Sequence, residues 1–496
     1  MVTTRRFSLE PSDKFKGKTI GYRHLQCLLI SLGFSLLFAM RVNLSVAIVA
    51  MMDNKGSNPD FPQYNWSQQT KSHILSSFFC GYILVQIPAG GWARRFGGRL
   101  FLLLSVTVSS IFALITPLSV SWGGWALICA LRFCQGLCQG VTLPTIATLM
   151  SKWAPIEERS ALQTYCYSGA QLGIVAMLAT SGVLCSSSWG WPSTFYLPGL
   201  LGLMWTGLWL VFGASTPRDC KHISAAERDM IEESLGHNQK NAEFTKTRAV
   251  PWKDIFTSKQ FLVLIFNHCT NNWCFWTLLT QMPSYINSVL GKDIKSNALL
   301  SALPYITMLA LSMACCPIVS WLEKSKLLNA TVSRKIFNTI SQWIPVVTLI
   351  SLGYLRPDQG DLAIILLTVT VAINTLGHFG YAVNHLDLAP NFAGTLMGIV
   401  NCSSNVMGII APLVVGYIVT DTTNIYQWRI IFTIAGCMSF SGNFMFLIFG
   451  TAKQQPWNDP PRTVHESEPL KSLSSDAEKG QEDRGELGKG DVILLE

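Results

Sequence analysis

The stretch "GGWALICALRFCQGLCQGVTLPTIATLM", residues 123–150, contains a single charged side chain, that of Arg132. About 20 consecutive apolar residues form a helix long enough to cross the hydrocarbon core of a bilayer, so this stretch predicts a membrane-spanning helix. A guanidinium near the centre of such a helix costs about 2.5–3.5 kcal/mol on insertion scales. We therefore expect Arg132 to face a cavity or a partner inside the protein rather than lipid.

Apolar stretches of similar length recur along the whole chain. Of its 496 residues, 49% are hydrophobic and 13% are charged, whereas about a quarter of the residues of a soluble protein are charged. The stretches lie at 24–52, 73–93, 100–120, 123–150, 161–184, 194–214, 261–290, 296–322, 336–355, 362–385, 393–419 and 430–451. The sequence predicts an all-α polytopic membrane protein with about twelve transmembrane helices in two six-helix bundles.

The polar segments divide the chain into five predicted parts. A cytosolic N-terminal tail (1–23) precedes an N-terminal six-helix bundle (24–214), and a cytosolic central loop (215–258) separates it from a C-terminal six-helix bundle (259–452). Residues 453–496 are rich in Ser, Glu, Lys and Gly. Since such a composition buries too little apolar surface to order a chain, we predict a disordered cytosolic tail.

The positions of the basic residues predict the orientation. Cytosolic loops of membrane proteins carry an excess of Lys and Arg. With the N-terminus placed in the cytosol, inside segments hold 29 of the 37 Lys and Arg residues and outside loops hold six. Both termini are therefore expected in the cytosol. The net charge of +8 reflects this topology and gives no reason to expect a nucleic-acid partner.

The predicted outer loop after the first helix contains the sequon Asn65-Trp66-Ser67. A sequon on the lumenal or extracellular side is an acceptor for N-glycosylation, so Asn65 is predicted to be glycosylated. A second sequon begins at Asn329, on the predicted cytosolic side, and is expected to stay unmodified.

Arg41 and Arg132 are the two basic residues inside the twelve stretches. Counted along their helices at 1.5 Å per residue, each lies roughly 5–7 Å to the outer side of its helix midpoint. Two guanidinium groups at matching depth could bind one anion between them. The alternative is a structural role, but no Asp or Glu lies inside the twelve stretches. In that structural role, backbone carbonyls could accept hydrogen bonds from the two arginines, or the arginine side chains could extend to the outer surface.

The absence of Asp and Glu from the twelve stretches also bears on which ion could drive transport, because proton-driven transporters commonly relay protons through intramembrane carboxylates. The remaining groups that could take up a proton are His268, His378 and His385. Sodium needs only neutral oxygen ligands, which "NHCTNNW" (267–273) and "NCSSNVMG" (401–408) contain. These two stretches could equally form hydrogen bonds between helices. No metal-binding spacing and no nucleophile–base set is present, so neither an enzyme nor a metal site is expected.

Several stretches resemble the anion/cation symporters of the major facilitator superfamily, a solute-carrier family that includes sodium–phosphate cotransporters, sialin, and the vesicular glutamate and nucleotide transporters. They are "RVNLSVAIVAM" (41–51), "SSFFCGYILVQIPAGG" (76–91), "RFCQGLCQGVTLPTIATLMSKWAPIEERSAL" (132–162), "NHCTNNWCFWTLLTQMPSY" (267–285), "LLNATVSRKIFN" (327–338) and "VNHLDLAPNFAGTLMGIVN" (383–401). The resemblance covers nearly all of residues 20–458. It implies the major facilitator fold and places Arg41 on the family's substrate arginine.

Three positions depart from particular members of that family. Gln139 stands where sialin-like members have a glutamate implicated in proton coupling, and this argues against proton symport of that type. Asn271 and Leu75 stand where glutamate-type vesicular carriers have an arginine and a histidine. The resemblance therefore favours a sodium-dependent phosphate cotransporter or a broader organic-anion carrier.

These observations together predict a secondary active transporter of a small anion. The predicted substrate site comprises Arg41, Arg132 and Gln139 in the N-terminal half and Asn271, Asn272 and His378 in the C-terminal half. The lead hypothesis is inorganic phosphate coupled to sodium. An organic anion moved by protons or by membrane potential is the alternative, and a non-transporting receptor on a transporter scaffold is a third.

Apart from a coupling cation, Na⁺ or H⁺, no cofactor is expected. The predicted partners are the anionic substrate, that cation and the lipid bilayer, and the protein is predicted to act as a monomer. Its membrane is predicted to be the plasma membrane or a lysosomal or vesicular membrane.

Overall fold

The computed structural model describes residues 21–52, 58–155, 158–246, 250–291, 294–325, 327–356 and 359–458. In these ranges the chain forms fifteen α-helices. They are α1 (Tyr22–Met52), α2 (Gln68–Phe96), α3 (Gly98–Gly140), α4 (Thr142–Trp153), α5 (Arg159–Ser186), α6 (Ser193–Phe212), α7 (Ala225–Lys246), α8 (Trp252–Thr257), α9 (Lys259–Ser288), α10 (Ile294–Ser325), α11 (Ala330–Gly353), α12 (Gly360–Asn374), α13 (Asn384–Leu388), α14 (Ala393–Ile418) and α15 (Ile425–Phe449).

Twelve membrane crossings can be assigned to these helices. Nine segments of the described chain are long and apolar enough to cross a membrane, and one of them, Gly98–Trp153, contains 56 residues. Its length would be about 84 Å as one straight helix, enough for two crossings. Gly124 bends it, with φ 57° and ψ −149°, a conformation that glycine adopts easily. The more polar helices α2 and α9 provide the other two crossings, so the predicted fold class is confirmed.

The helical core is shared at one end of the molecule and divided at the other. We call the end at which α1 ends and α2 begins the outer end, following the predicted orientation, and the opposite end the inner end. The largest cluster of buried apolar side chains lies toward the outer end and includes residues of both halves, among them Val46, Ile74, Trp276, Leu349 and Ala411. The two halves therefore pack together there.

Toward the inner end each half has a core of its own. The cluster of the N-terminal half includes Ile30, Trp153 and Trp209, and that of the C-terminal half includes Phe261 and Leu396. These clusters share no residue. The halves are thus joined mainly at the outer end.

The stretch predicted as one helix over 362–385 is broken in the structure. Helix α12 ends at Asn374, and two short 3₁₀ segments, Thr375–His378 and Tyr381–Val383, lead to α13. At Gly380 a Cβ atom would lie 2.9 Å from the backbone nitrogen of Asn338 in α11. The chain therefore passes too close to α11 for a larger residue, a packing constraint that the hydropathy pattern does not reveal.

The N-terminal boundary lies slightly earlier than predicted, because α1 begins at Tyr22. The Glu227 carboxylate of α7 accepts hydrogen bonds from the backbone nitrogens of Tyr22 and Arg23, at 2.8 and 3.1 Å. Arg23 also bonds to Glu158 at 2.6 Å, and this hydrogen bond holds the pKa of the Glu158 carboxyl below its ordinary value. A helix of the central loop thus caps the start of α1, where a negative charge is favourable.

The C-terminal boundary lies later than predicted. The described chain continues to Asn458, six residues into the segment expected to be disordered. The backbone nitrogen of Gln455 donates to the carbonyl oxygen of Leu388 at 2.8 Å, and the Trp457 ring packs against that of Phe392. An aromatic anchor in an otherwise polar segment accounts for the difference. The rest of that tail, 459–496, most of the N-terminal tail, 1–20, and 247–249 of the central loop lie outside the described residues.

Candidate functional site

Arg132 is held by the backbone of the neighbouring helix α1. Its Nη1 donates to the carbonyl oxygen of Met40 at 2.9 Å, and its Nη2 donates to that of Arg41 at 2.9 Å. Its Nη1 also reaches Oε1 of Gln135 at 3.2 Å. Backbone carbonyls are therefore real partners of this arginine, as one alternative expected. Its Nε has no hydrogen-bond partner among the described residues.

Arg41 is oriented by a glutamine and by three aromatic rings. Its Nε and Nη2 both donate to Oε1 of Gln139, at 3.4 and 3.1 Å. Its guanidinium lies 4.3, 4.7 and 4.9 Å from the ring centroids of Phe38, Phe78 and Tyr82. Arg132 lies 5.2 Å from the same Phe78 ring. Such cation–π contacts stabilise a buried cation without neutralising it, so both positive charges persist in the interior.

Two glutamines of α3 hold the two arginines from behind. Gln135 accepts from Arg132, and Gln139 accepts from Arg41. The amide nitrogen of Gln135 donates to the carbonyl oxygen of Ser109 at 3.2 Å, and that of Gln139 donates to the Ser109 hydroxyl at 3.5 Å. Gln139, predicted as a substrate ligand, is 0% exposed and supports Arg41 instead of lining a cavity. Gln135 was not predicted, although the repeat "CQGLCQG" (134–140) contained the signal.

A cavity lies beside the two arginines, at the interface between the halves. It is lined by Arg41, Val42, Ser45, Leu75, Phe79, Arg132, Trp276, Leu279 and Thr280. Six of these residues belong to the N-terminal half and three to α9 of the C-terminal half. None of the nine is acidic. The cavity is therefore positively charged on one side and apolar or neutral on the other.

Two hydrogen-bond donors in this cavity wall have no partner among the described residues. They are Nε of Arg132 and Nε1 of Trp276, on opposite walls. Leaving a buried donor unpaired costs about 1–3 kcal/mol, and more for a charged group. Unpaired donors from both halves, beside two guanidinium groups, form a site whose chemistry suits an anion.

The predicted residues of the C-terminal half lie elsewhere. The Nδ2 of Asn271 donates to the Tyr381 hydroxyl at 2.5 Å, and its Oδ1 accepts from Asn374 at 2.6 Å. Asn272 is partly buried and His378 is exposed, and neither lines the cavity. The wall opposite the arginines is formed by a later turn of α9, because Trp276 follows Asn271 by five residues, about 7.5 Å along a helix.

Trp276 and Thr280 are two polar wall residues of α9 that sequence reasoning missed. The Thr280 hydroxyl donates to the Trp276 carbonyl oxygen at 2.7 Å, so its lone pairs stay available to accept. The only available signal was the position of a tryptophan and a threonine in "NNWCFWTLLT" (271–280). The sequence does not show which turn of α9 lies level with Arg41.

The three intramembrane histidines lie in the C-terminal half. Nε2 of His268 and Nδ1 of His385 are buried and have no partner among the described residues. The His268 ring meets the Tyr381 ring edge-on, with their centroids 4.4 Å apart. This group surrounds the break between α12 and α13 and lies outside the cavity wall.

The sequence pattern of the Major Facilitator Superfamily matches residues 30–412. The chain belongs to the major facilitator superfamily. Three relatives are a protein of Drosophila melanogaster named "Putative inorganic phosphate cotransporter" (35% identical, 93% of this chain and 90% of that protein), human sialin (33%, 88% and 90%) and vesicular glutamate transporter 1 of Xenopus laevis (32%, 94% and 82%). They come from the group that the sequence resembles, which confirms that expectation.

Solved major facilitator structures have the same fold. One is a bacterial homologue of the human lysosomal transporter Spinster (TM-score 0.63, 14% identity, 87% of this chain and 98% of that one). Another is the xylose transporter XylE of E. coli (0.63, 13%, 89% and 97%). The protein is therefore an integral, multi-pass membrane transporter of this superfamily and not an enzyme. Its halves, joined at the outer end, are arranged as in a transporter closed on that side.

Proposed function

We propose that the protein carries a small anion across its membrane by alternating access, with Arg41 and Arg132 as the groups that bind it. In such transporters the two halves rock about a central site near the bilayer midplane. The site described here lies between the halves, and residues of both halves line it.

The observation that carries this proposal is a pair of buried guanidinium groups without a carboxylate. Arg41 is 8% and Arg132 is 3% exposed, and no ion pair involves either of them among the described residues. A buried charge without a counter-ion is costly, and an anionic substrate would supply the missing charge. Nε of Arg132 and Nε1 of Trp276 would then donate to its oxygen atoms.

Inorganic phosphate coupled to sodium is the substrate pair that we favour. One relative is named as an inorganic phosphate cotransporter. Gln139 provides a neutral oxygen where a proton-coupled mechanism would use a carboxylate. Phosphate presents several oxygens to donors on opposite walls, and arginine binds such oxyanions in a bidentate way.

The alternative is an organic anion, moved by protons or by membrane potential. Relatives named sialin and vesicular glutamate transporter support it. The unpartnered nitrogens of His268 and His385 support the proton-driven form, because an imidazole nitrogen can take up and release a proton. A receptor that binds the anion without carrying it remains the third candidate.

The remaining proposals concern the surroundings of the protein. We propose the plasma membrane or a lysosomal or vesicular membrane, cytosolic termini and a monomeric state. Asn65 is exposed, in a segment without regular secondary structure just before α2, a position suitable for glycosylation. The proposed coupling ion is Na⁺.

The test is uptake of radiolabelled phosphate into proteoliposomes that contain the purified protein. Sodium, pH and voltage gradients are imposed one at a time. We expect sodium-driven uptake that falls about 100-fold in Arg41→Gln and Arg132→Gln, because a hydrogen bond to a charged group contributes about 1.5–3 kcal/mol. Arg95→Gln is the matched control, since Arg95 is an exposed arginine outside the cavity.

Each result has a definite meaning provided that the variants elute as folded protein in size-exclusion chromatography. Phosphate uptake that is absent or does not depend on sodium would shift the proposal to the organic-anion alternative, with glutamate and sialic acid as the next probes. Normal uptake by both arginine variants would contradict the assigned site. Binding of phosphate without flux under any gradient would favour the receptor.

A further inference from the structure

Lys71 is a buried cation that neither the sequence analysis nor the proposed site uses. It was counted as an outer-loop residue, but the structure places it in the first turn of α2, 3% exposed. Its Nζ donates to the Ser284 hydroxyl of α9. No acidic side chain pairs with it in the described part of the chain. A buried ammonium held only by a neutral hydroxyl is costly, and ionisable residues buried in a membrane are commonly functional.

The position of Lys71 follows from the pairing of α2 with α9. The Phe79 and Trp276 rings are in contact, with centroids 4.5 Å apart. One turn toward the outer end, Leu75 and Thr280 both line the cavity. One more turn outward, Lys71 meets Ser284. At each step a residue four positions earlier in α2 meets a residue four positions later in α9. Lys71 therefore lies one helical turn, about 6 Å, from the cavity toward the outer end.

The contact between Lys71 and Ser284 joins the two halves. Helix α2 belongs to the N-terminal half and α9 to the C-terminal half, so this contact must part whenever the outer end opens. Other polar atoms near these ends of the helices also have no partner among the described residues. They are Nε2 of Gln68, Oγ of Ser72 and both side-chain polar atoms of Gln281. An opened outer end would therefore present an ammonium group among polar side chains, directly above the cavity.

We propose that Lys71 is an outer binding group for the transported anion. In the closed arrangement the Ser284 hydroxyl occupies the place beside Nζ that the anion takes when the outer end opens. The anion then passes one turn inward to Arg41 and Arg132. This inference rests on the proposed function in one respect only, that the entering ligand is a small anion.

The first test measures the charge selectivity of the opened entrance without any transport assay. Ser284→Cys protein in proteoliposomes is labelled from outside with two methanethiosulfonates, one anionic and one cationic, and modification of residue 284 is read by mass spectrometry. The labelling ratio is the rate of the anionic reagent divided by the rate of the cationic reagent. We expect this ratio to be about tenfold higher when Lys71 is present than in Lys71→Gln, because a fixed charge in a cleft concentrates opposite charges.

The second test measures phosphate uptake from the outside. Lys71→Gln is expected to raise the KM for phosphate about tenfold, as loss of one charge-assisted hydrogen bond predicts, with the maximal rate changed less than twofold. Lys71→Arg should restore most of the affinity. Arg356→Gln, which removes an exposed cation near the outer end of α11, is the matched control and should leave KM unchanged.

The two tests separate this inference from the proposed function. If the wild-type protein does not transport phosphate, the proposed substrate is wrong, yet the labelling ratio still decides the role of Lys71. An equal labelling ratio with and without Lys71, or no labelling of residue 284 from outside, would overturn the inference. The inference would also be overturned if Lys71→Gln protein transported phosphate with the same KM as the wild type.

Discussion

The two halves of the transporter treat their buried polar side chains in opposite ways. Beside the cavity the N-terminal half buries Arg41 and Arg132, which donate hydrogen bonds and accept none. The C-terminal half buries a cluster of neutral amides, Asn267, Asn338, Gln342 and Asn443. Asn338 donates to Asn443 at 2.8 Å, and Gln342 donates to Asn267 at 2.8 Å and to Asn338 at 3.1 Å.

This difference shows how the N-terminal half can bind the anion while the C-terminal half completes the cavity wall. An amide both donates and accepts, so neighbouring amides can satisfy one another and close a network within one half. Arginine has five donors and no acceptor, and its local partners here leave Nε of Arg132 unpaired. The excess donors and the positive charge remain at the cavity. The four predictions below test this contrast, and uptake in them refers to radiolabelled phosphate in proteoliposomes.

Of these four predictions, the largest effect should come from placing an acid beside Arg41. Gln139→Glu would put a carboxylate where the Gln139 Oε1 accepts from Arg41, and the resulting ion pair would cancel one of the two positive charges. We expect uptake at neutral pH to fall about tenfold or more, since charge-assisted bonds contribute about 1.5–3 kcal/mol. The ratio of variant to wild-type uptake should rise as the pH is lowered, because protonation removes the new charge.

Gln139→Met is the control for this variant, since it has a similar volume and no charge. Its uptake relative to wild type should not vary with pH. A Gln139→Glu protein with the uptake and pH dependence of wild type would mean that the charge on Arg41 does not bind the anion.

A smaller effect is expected at the contact between the halves. At Gly416 of α14 a Cβ atom would lie 2.4 Å from Oγ and 2.7 Å from Cβ of Ser72 in α2. Because overpacking of this kind costs about 1–3 kcal/mol, Gly416→Ala should oppose closure of the outer end and slow uptake several-fold. Labelling of Ser284→Cys from outside should become faster.

Gly436→Ala is the matched control, because its Cβ would lie 3.4 Å from Ile350 within the C-terminal half, an ordinary contact distance. Uptake by this variant should stay within twofold of wild type. Equal slowing by both substitutions would show that Gly416 acts on stability in general and not on outer closure.

The amide cluster should affect stability and leave binding unchanged. Asn338→Ala would remove the partner of three other buried amides, and unsatisfied buried polar groups cost about 1–3 kcal/mol each. We expect a thermal unfolding midpoint several degrees lower in detergent, with the KM for phosphate within twofold of wild type. Gln69→Ala, at an exposed position of α2, should change neither. A large rise in KM for Asn338→Ala would show that the C-terminal half shares in binding.

The smallest effect on transport is expected at the outer sequon. Asn65→Gln should abolish the mobility shift that a glycosidase produces on a gel and leave uptake per molecule unchanged. Asn329→Gln serves as the control, because Asn329 caps the start of α11 through its side chain on the predicted cytosolic side. A glycosidase shift that survives Asn65→Gln and disappears in Asn329→Gln would reverse the predicted orientation.

The sequence predicted the membrane class, the number of crossings and the pair of arginines in the N-terminal half. Each depends on a property that is read along one helix: an apolar length, a charge inside that length, or a depth counted from its ends. The predictions for the C-terminal half went less far. Asn271 satisfies Tyr381 and Asn374, whereas Trp276 and Thr280 form the cavity wall. A hydropathy pattern does not distinguish a polar side chain that bonds within its own half from one that faces the other half.

The sequence by itself thus determined that this chain crosses a membrane about twelve times and buries two arginines without an intramembrane acid. Only the tertiary structure decided that Arg132 is anchored on carbonyls of α1, that Gln135 and Gln139 hold the arginines from behind, and that Lys71 closes the outer side against Ser284. The physical reason is that the free energy of transferring a residue into lipid depends on its own side chain and its depth. Its hydrogen-bond partner depends on how neighbouring helices are rotated and shifted against each other, which packing between distant segments sets.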